Sequence, residues 1–295
     1  EGDLKQSLEG TIARFKPDIV HAHDVTRCGT HLLGLRMPWV VSVSAEDFHV
    51  DMAEGQMAPL VCEVYRRAHR VIVPSTGLAR ELEGRLPETV GKIDVVPRAV
   101  RPLPTGGTDL RRSLGVPRHR VLILLPGGLR PIKGQHRSLA LIRILRRSGV
   151  DAEMVIAGPV QDPEYAADLK SLIRDEPSIR IMSALSSERM GATYMDADVV
   201  LNTSLDEVMS PSILEAGILG RPVVASRVPG NEELVRHLET GLLYDGEEEM
   251  AKCILALVRN RSAAGAYGVR MREDFKRRFD PEVEIDRLLS AYAAA

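Results

Sequence analysis

The sequence predicts an α/β protein built on two Rossmann-like, doubly wound parallel sheets, and three observations predict it. Short, nearly continuous apolar runs recur along the chain and end in polar residues or glycine. Stretches with helical spacing fall between them. A segment rich in proline and glycine, Pro97 to Gly107, separates a first set of four runs from a second set of five. Strands covered on both faces read as continuous apolar runs, and parallel neighbours require a crossover helix. The length, 295 residues, allows about two domains.

The first set of strands is expected at Asp18–His21, Trp39–Val43, Val71–Pro74 and Ile93–Val96. The second is expected at Val121–Leu125, Met154–Ala157, Ile179–Met182, Val199–Asn202 and Pro222–Ala225. Residues 247–295 read as helices, the last opened by Asp280-Pro281, with Asp suited to the N-cap and Pro to the first turn. These elements suggest a partial N-terminal domain over residues 1–104, a complete domain over 105–270, and a final helical segment, 271–295. With only four strands, the N-terminal domain is expected to lack its opening strands. The chain begins at Glu1, which suggests a fragment or a trimmed product.

Composition excludes several classes. Lys and Arg number 39 against 41 Asp and Glu, so bulk positive charge does not carry this chain onto nucleic acid. No apolar run approaches the roughly 20 residues that span a bilayer. The three cysteines, Cys28, Cys62 and Cys253, are far apart, which argues against a disulfide scaffold or zinc site and for a reducing, cytoplasmic setting. No signal peptide is visible. Arginines cluster at Arg66/Arg67/Arg70 and Arg137/Arg143/Arg146/Arg147, and a mixed cluster lies at Lys276/Arg277/Arg278. Solvated faces explain them; weak contact with an anionic membrane surface, at the inner face, is the sharper alternative.

The densest chemistry lies between Asn202 and Gly217. A strand ends at Asn202, a loop carries Glu207, and a helix opens with Ser210 at its N-cap and Pro211 in its first turn. Ligands of open α/β sheets sit beyond the carboxyl ends of the strands, so this helix offers its free N–H groups, those of Ser212 and Ile213, to a phosphate. Glu215, one turn inside, suits the vicinal hydroxyls of a ribose. Taken alone, Glu207 also reads as a solvated loop residue and Glu215 as a charge favouring the helix dipole.

A second constellation follows the strand at Val121. Its glycine turn, Gly127-Gly128-Leu129-Arg130-Pro131-Ile132-Lys133-Gly134, brings two cations to the same end of the sheet, where they suit a diphosphate, and a helix is expected directly after it. Neither the P-loop nor the dinucleotide fingerprint is present. A third, His21-Ala22-His23-Asp24, places two histidines on one face of a strand end without further metal-ligand spacing, so a hydrogen-bonding role is expected and no metal. Asp196-Ala197-Asp198 falls at the amino end of a strand, which favours a structural role.

In order and spacing, these segments resemble the retaining GT-B glycosyltransferases of family 4, group 1. The resemblance rests on Pro17–Asp24, Gly128–Gly134, the pair Glu207/Glu215, Gly220–Ser226, Val228–Glu232 and Thr240–Asp245. It implies two Rossmann-like domains with a nucleotide-sugar between them, the donor held by the C-terminal one, and a last helix returning to the N-terminal domain. Arg130 and Lys133 would neutralise the diphosphate, Glu215 would hold the ribose, Glu207 would face the sugar, and His23, beside Asp24, would line the cleft from the N-terminal side. No metal or other cofactor would be needed, since two cations and a helix end take the leaving charge. The acceptor would be a glycan, lipid or small molecule. The sequence departs from the family at Gly128, where an arginine is usual, at Val208, where a glycine is common, and at Arg98-Ala99, where Asn-Gly is usual. Two rival readings follow: a binding module completed by a partner, favoured by the missing strands, and, more distantly, a glycan phosphorylase. An incomplete sheet would leave an edge open to a partner strand or to a second copy.

Overall fold

The structure, a computed structural model, describes residues 2–43, 48, 52, 57–107 and 110–295; Glu1 lies outside them. The chain divides into two compact units, residues 1–99 with 281–295, and residues 100–280.

In the first unit, α1 (Gly2–Phe15), β1 (Val20–Ala22), β2 (Trp39–Ser42), α2 (Ala58–Arg67), β3 (Arg70–Val73), α3 (Thr76–Arg85) and β4 (Ile93–Val95) follow one another. The strands form one parallel sheet in the order β1-β2-β3-β4. Val40, Val41, Val71 and Val73 are fully buried. Ser75 caps α3, its Oγ accepting from the Leu78 N–H at 3.2 Å. Arg70 grips Asp94 with two bonds of 2.6 Å, which ties β3 to β4. The chain's terminal helix, Pro281–Ala293, belongs to this unit: Ala291 packs with Val40, Ile72 and Val96, and Arg287 donates to the Val95 carbonyl at 2.9 Å.

The second unit runs α4 (Leu110–Leu114), β5 (Val121–Pro126), α5 (Leu141–Arg147), β6 (Ala152–Ala157), α6 (Pro163–Leu172), β7 (Ile179–Met182), α7 (Ser187–Asp196), β8 (Val199–Asn202), α8 (Pro211–Ile218), β9 (Val223–Ser226), α9 (Pro229–Glu232), β10 (Leu242–Tyr244), α10 (Glu247–Arg259) and α11 (Arg261–Arg278). Its six strands are parallel in the order β10-β9-β8-β5-β6-β7. Alternation along β5 builds two cores. Val121, Ile123 and Leu125 face one, with α5 and α10; Leu122 and Leu124 face the other, with α8 and α11.

Several expectations differ from the structure. Val100 belongs with the second unit, since it packs into that unit's core and its N–H donates to the Phe279 carbonyl at 3.1 Å. The uninterrupted helix α11 carries the same unit on to Asp280, past the expected division after residue 270. No helix follows Gly134 directly. Two short 3-10 turns, Pro131–Lys133 and Gln135–Ser138, come first, because Gly134 takes a left-handed φ of 60° that ends the first of them. α1 and β10 were not expected at all. β10 is a three-residue run, Leu242-Leu243-Tyr244, without the β-branched residues that mark the equally short β1 and β4.

The remaining motifs are structural. Asp196 accepts from the Leu110 N–H at 2.6 Å, and Asp198 accepts from the Leu122 N–H at 2.8 Å and from Arg111 at 2.6 Å. Arg66, Arg67, Arg146 and Arg278 are paired with Glu88, Glu63, Glu176 and Asp274. Among the described residues, no helix is long and apolar enough to cross a membrane, and no group of three metal-binding side chains occurs.

Candidate functional site

β5 and β8 are neighbours, yet the chain leaves them in opposite directions: β5 leads to β6 and β8 to β9. Their carboxyl ends therefore open a crevice, the place where ligands bind in open α/β sheets. A cleft of about 400 Å³ lies there, lined by Gly128, Arg130, Lys133, Tyr194, Glu207, Ser212 and Glu215.

The turn after β5 forms one wall. Gly134 seats it: a Cβ there would stand 2.4 Å from the Thr203 carbonyl oxygen, on a backbone at φ 60°. Thr203 in turn donates its hydroxyl to the Lys133 carbonyl at 2.7 Å, which binds the turn to the end of β8. Lys133 Nζ donates to Glu207 Oε1 at 2.6 Å. Arg130 is different. Its Nε is buried and, among the described residues, has no hydrogen-bond partner. A buried donor left open carries a desolvation cost, which an anionic ligand would relieve.

The loop after β8 forms the facing wall. Glu207 is buried, and its Oε1 also accepts from Ser204 Oγ at 2.8 Å. A buried amide holds the loop. Asn202 Oδ1 accepts from the Ser204 N–H at 3.1 Å and from Asn231 Nδ2 at 3.0 Å, and Tyr244 OH donates to the Asn202 carbonyl at 3.0 Å. Ser210 stands at the N-cap of α8 but makes no capping bond, which corrects the expected role. Its Oγ accepts from Asn202 Nδ2 at 3.1 Å and lies 3.1 Å from Ser212 Oγ, because the buried amide needs an acceptor and the helix end faces the open cleft. The first N–H groups of α8, at Ser212 and Ile213, have no carbonyl partner within the helix. The Ile213 side chain lies in the core.

Glu215 projects from α8 into the cleft, where its Oε2 accepts from Tyr194 OH at 2.8 Å. Burial pushes the Glu215 carboxyl above the ordinary carboxylate range, and the phenol's bond partly offsets this. Burial, with the Glu215 charge next in weight, holds Tyr194 well above the usual phenol range, so it stays a donor.

His23 and Asp24 lie in the first unit, beyond the end of β1. His23 is exposed and its ring stacks 4.0 Å from that of His21. Asp24 caps a turn, accepting from the Arg27 N–H at 2.6 Å. His21 is fully engaged, with Nδ1 2.7 Å from Tyr292 OH and Nε2 2.8 Å from Ser42 Oγ. Burial, reinforced by His23, lowers its pKa to about 4.

Residues 4–102 match the family model "Glycosyltransferase Family 4", and residues 120–260 match "Glycosyl transferases group 1". In structure, 98% of the chain overlays on 82% of Anabaena HepE, solved in complex with UDP-glucose, at a TM-score of 0.82 and 20% identity. Two glycosyltransferase family models thus match the chain one after the other, and its fold is GT-B. The chain is 34% identical over 144 residues, 47% of its length, to the D-inositol 3-phosphate glycosyltransferase of Corynebacterium efficiens. It is 25% identical over 234 residues, 77% of its length, to "Glycosyltransferase 1 domain-containing protein 1" of Xenopus tropicalis. The chain spans 34% of the Corynebacterium relative and 67% of the Xenopus one.

Within the second unit, one cleft gathers Gly128, Arg130, Lys133, Glu207, Ser212 and Glu215, with Ser210 and Ile213 behind it. Sequence reasoning missed Tyr194 and Gln161, both in its lining. Tyr194 carries no motif of its own, but its place two residues before Asp196, on a helix entering β8, was a signal open to use. Gln161 covers Gly128 so closely that a Cβ there would meet its side chain at 2.1 Å. The glycine at the position where the family usually has an arginine thus accommodates that amide.

Proposed function

We propose that this chain transfers a sugar from a nucleoside diphosphate sugar to an acceptor hydroxyl, with retention of configuration and without a metal. The observation that carries the reading is the open Arg130 guanidinium beside Lys133 and the free end of α8, in one cleft with the Glu215 carboxylate. The diphosphate lies against Arg130, Lys133 and the Ser212 and Ile213 N–H groups, and Glu215 accepts from the ribose hydroxyls. HepE, of the same fold, was solved with UDP-glucose, which supports a donor of this class.

In the reaction, the bond from the anomeric carbon to the β-phosphate oxygen breaks as the acceptor oxygen bonds to the same face of that carbon. The acceptor's proton passes to the departing phosphate oxygen. Charge grows on the diphosphate in the transition state, where fixed cations and helix N–H groups stabilise it most. Glu207, held by Lys133 and Ser204, faces the transferred sugar. His23 and Asp24 are the acceptor-side candidates of the first unit.

The test is a thermal-shift panel with UDP, GDP and ADP and their sugars. A ligand at 100 times its dissociation constant adds about 2.7 kcal/mol. One base is expected to stabilise the protein, and its radiolabelled sugar then to appear in a product of unchanged anomeric configuration. No shift with any of them, at millimolar concentration, overturns the reading.

A further inference from the structure

We infer that Tyr194 is a positioning residue for ribose recognition: its buried hydroxyl holds the Glu215 carboxylate in one orientation and leaves Oε1 as the acceptor for a nucleotide's ribose. The inference rests on the proposed nucleotide reading of the cleft.

Three observations carry it. The Tyr194 ring is fully buried, and its hydroxyl reaches the cleft and donates to Glu215 Oε2 at 2.8 Å. That bond is the only side-chain hydrogen bond of Glu215 among the described residues. The tyrosine comes from α7 and the glutamate from α8, so the bond ties together two helices flanking β8. A glutamate side chain has three rotatable bonds, and a single acceptor atom held from a rigid phenol removes most of that freedom before a ligand arrives.

The chemistry is also selective. A hydroxyl donor stabilises the carboxylate over the carboxylic acid, in a cleft where burial favours the acid. The other charged groups lining the cleft are Arg130, Lys133 and Glu207, and the last two are paired with each other. On the opposite side of α8, α11 brings Met271 and Phe275 against Gly217, and its Arg272 reaches Gly220, just past the end of the helix. Tyr194 is thus the group that keeps Glu215 an acceptor as pH falls.

The experiment compares UDP, GDP and ADP with their 2′-deoxy forms and with inorganic diphosphate, by calorimetry, on the wild-type protein and Tyr194→Phe. Wild type is expected to prefer the ribonucleotide. Tyr194→Phe is expected to lose about tenfold in affinity for it, the size of one hydrogen bond to a charged group, and most of the ribose preference. Inorganic diphosphate is expected to bind both proteins alike, which also shows that the variant is folded. Its affinity for the nucleotide is expected to fall at a higher pH than that of wild type. Added to Glu215→Gln, Tyr194→Phe is expected to cost nothing further, since it acts through the carboxylate. Losses that add in the double variant, or an unchanged ribose preference in Tyr194→Phe, overturn the inference while leaving nucleotide binding in place. Failure of the wild type to bind any of the nucleotides overturns the reading beneath it. Should Tyr194→Phe not fold, Glu215→Asp retains the phenol and withdraws the carboxylate from it; the same loss of ribose preference is expected, and its survival counts against the inference.

Discussion

The two sheets finish their strands in different chemistry. Beyond β5 and β8, ionic groups converge: Lys133 and Glu207 pair with each other, and Arg130 and Glu215 bring a further cation and anion to the same cleft. Beyond β1 and β2, a neutral chain of hydrogen bonds runs from Ser42 through His21 to Tyr292. The first arrangement has an unfilled donor, and the second has both ring nitrogens of its histidine in use. A site open to a ligand is recognised by what its own side chains leave unsatisfied, and the cleft beyond β5 and β8 shows that at Arg130.

The largest effect expected is from Gly134→Ala, which adds a Cβ 2.4 Å from a backbone oxygen at a left-handed φ. It should destabilise the second unit by about 2–3 kcal/mol, read from denaturant unfolding. The first unit should unfold as before. A loss below about 0.5 kcal/mol would show that the turn tolerates another seat. Next comes Arg130→Ala against His23→Ala. The first should weaken nucleoside diphosphate binding by roughly ten- to a hundredfold, the size of hydrogen bonds to a charged group. The second should leave that binding unchanged. Equal losses would erase the distinction between the two strand ends.

How much of this was legible follows the same divide. The strand at Val121 and the glycine turn after it announce themselves, because a buried strand is apolar throughout and a tight turn needs glycine. The convergence of Arg130, Lys133, Glu207 and Glu215 was readable from their places after two strands. What the residues alone could not give is who holds whom. The Lys133–Glu207 pair joins positions 74 residues apart, and Tyr194 meets Glu215 through two helices. Ser210 read as a cap from its position, but the buried Asn202 amide took its hydroxyl. Those pairings are set by three-dimensional packing, which leaves no local pattern.

The Lys133–Glu207 pair sharpens the comparison further. Lys133→Ala removes a cation from the diphosphate and should lower nucleoside diphosphate affinity several-fold in calorimetry. Glu207→Gln removes the anion that holds Lys133, so affinity for the free diphosphate should rise a few-fold, while turnover of the intact donor falls. An interaction made chiefly in the transition state shows in kcat. If both variants lose affinity equally, the two residues serve the diphosphate together and Glu207 has no separate role at the sugar.

The smallest effect is expected in the first unit, and it is a dependence on pH. The folded His21 ring has its pKa lowered to about 4 from an ordinary 6.5, chiefly by burial. Between those values, the unfolded chain takes up a proton that the folded ring refuses. More protons on the unfolded state mean that stability rises with pH, so this contribution is full above about pH 6.5 and is lost as pH falls toward 4. The ring is only partly buried, which moderates the slope. His21→Gln, which cannot titrate, should flatten the first unit's unfolding midpoint across that window relative to wild type, and should leave nucleoside diphosphate binding by the second unit untouched. An identical slope in both proteins would place the titrating group elsewhere. A change in nucleotide affinity would show that the neutral relay at β1 and β2 and the charged cleft at β5 and β8 are coupled, and the two strand ends would then have to be treated as one site.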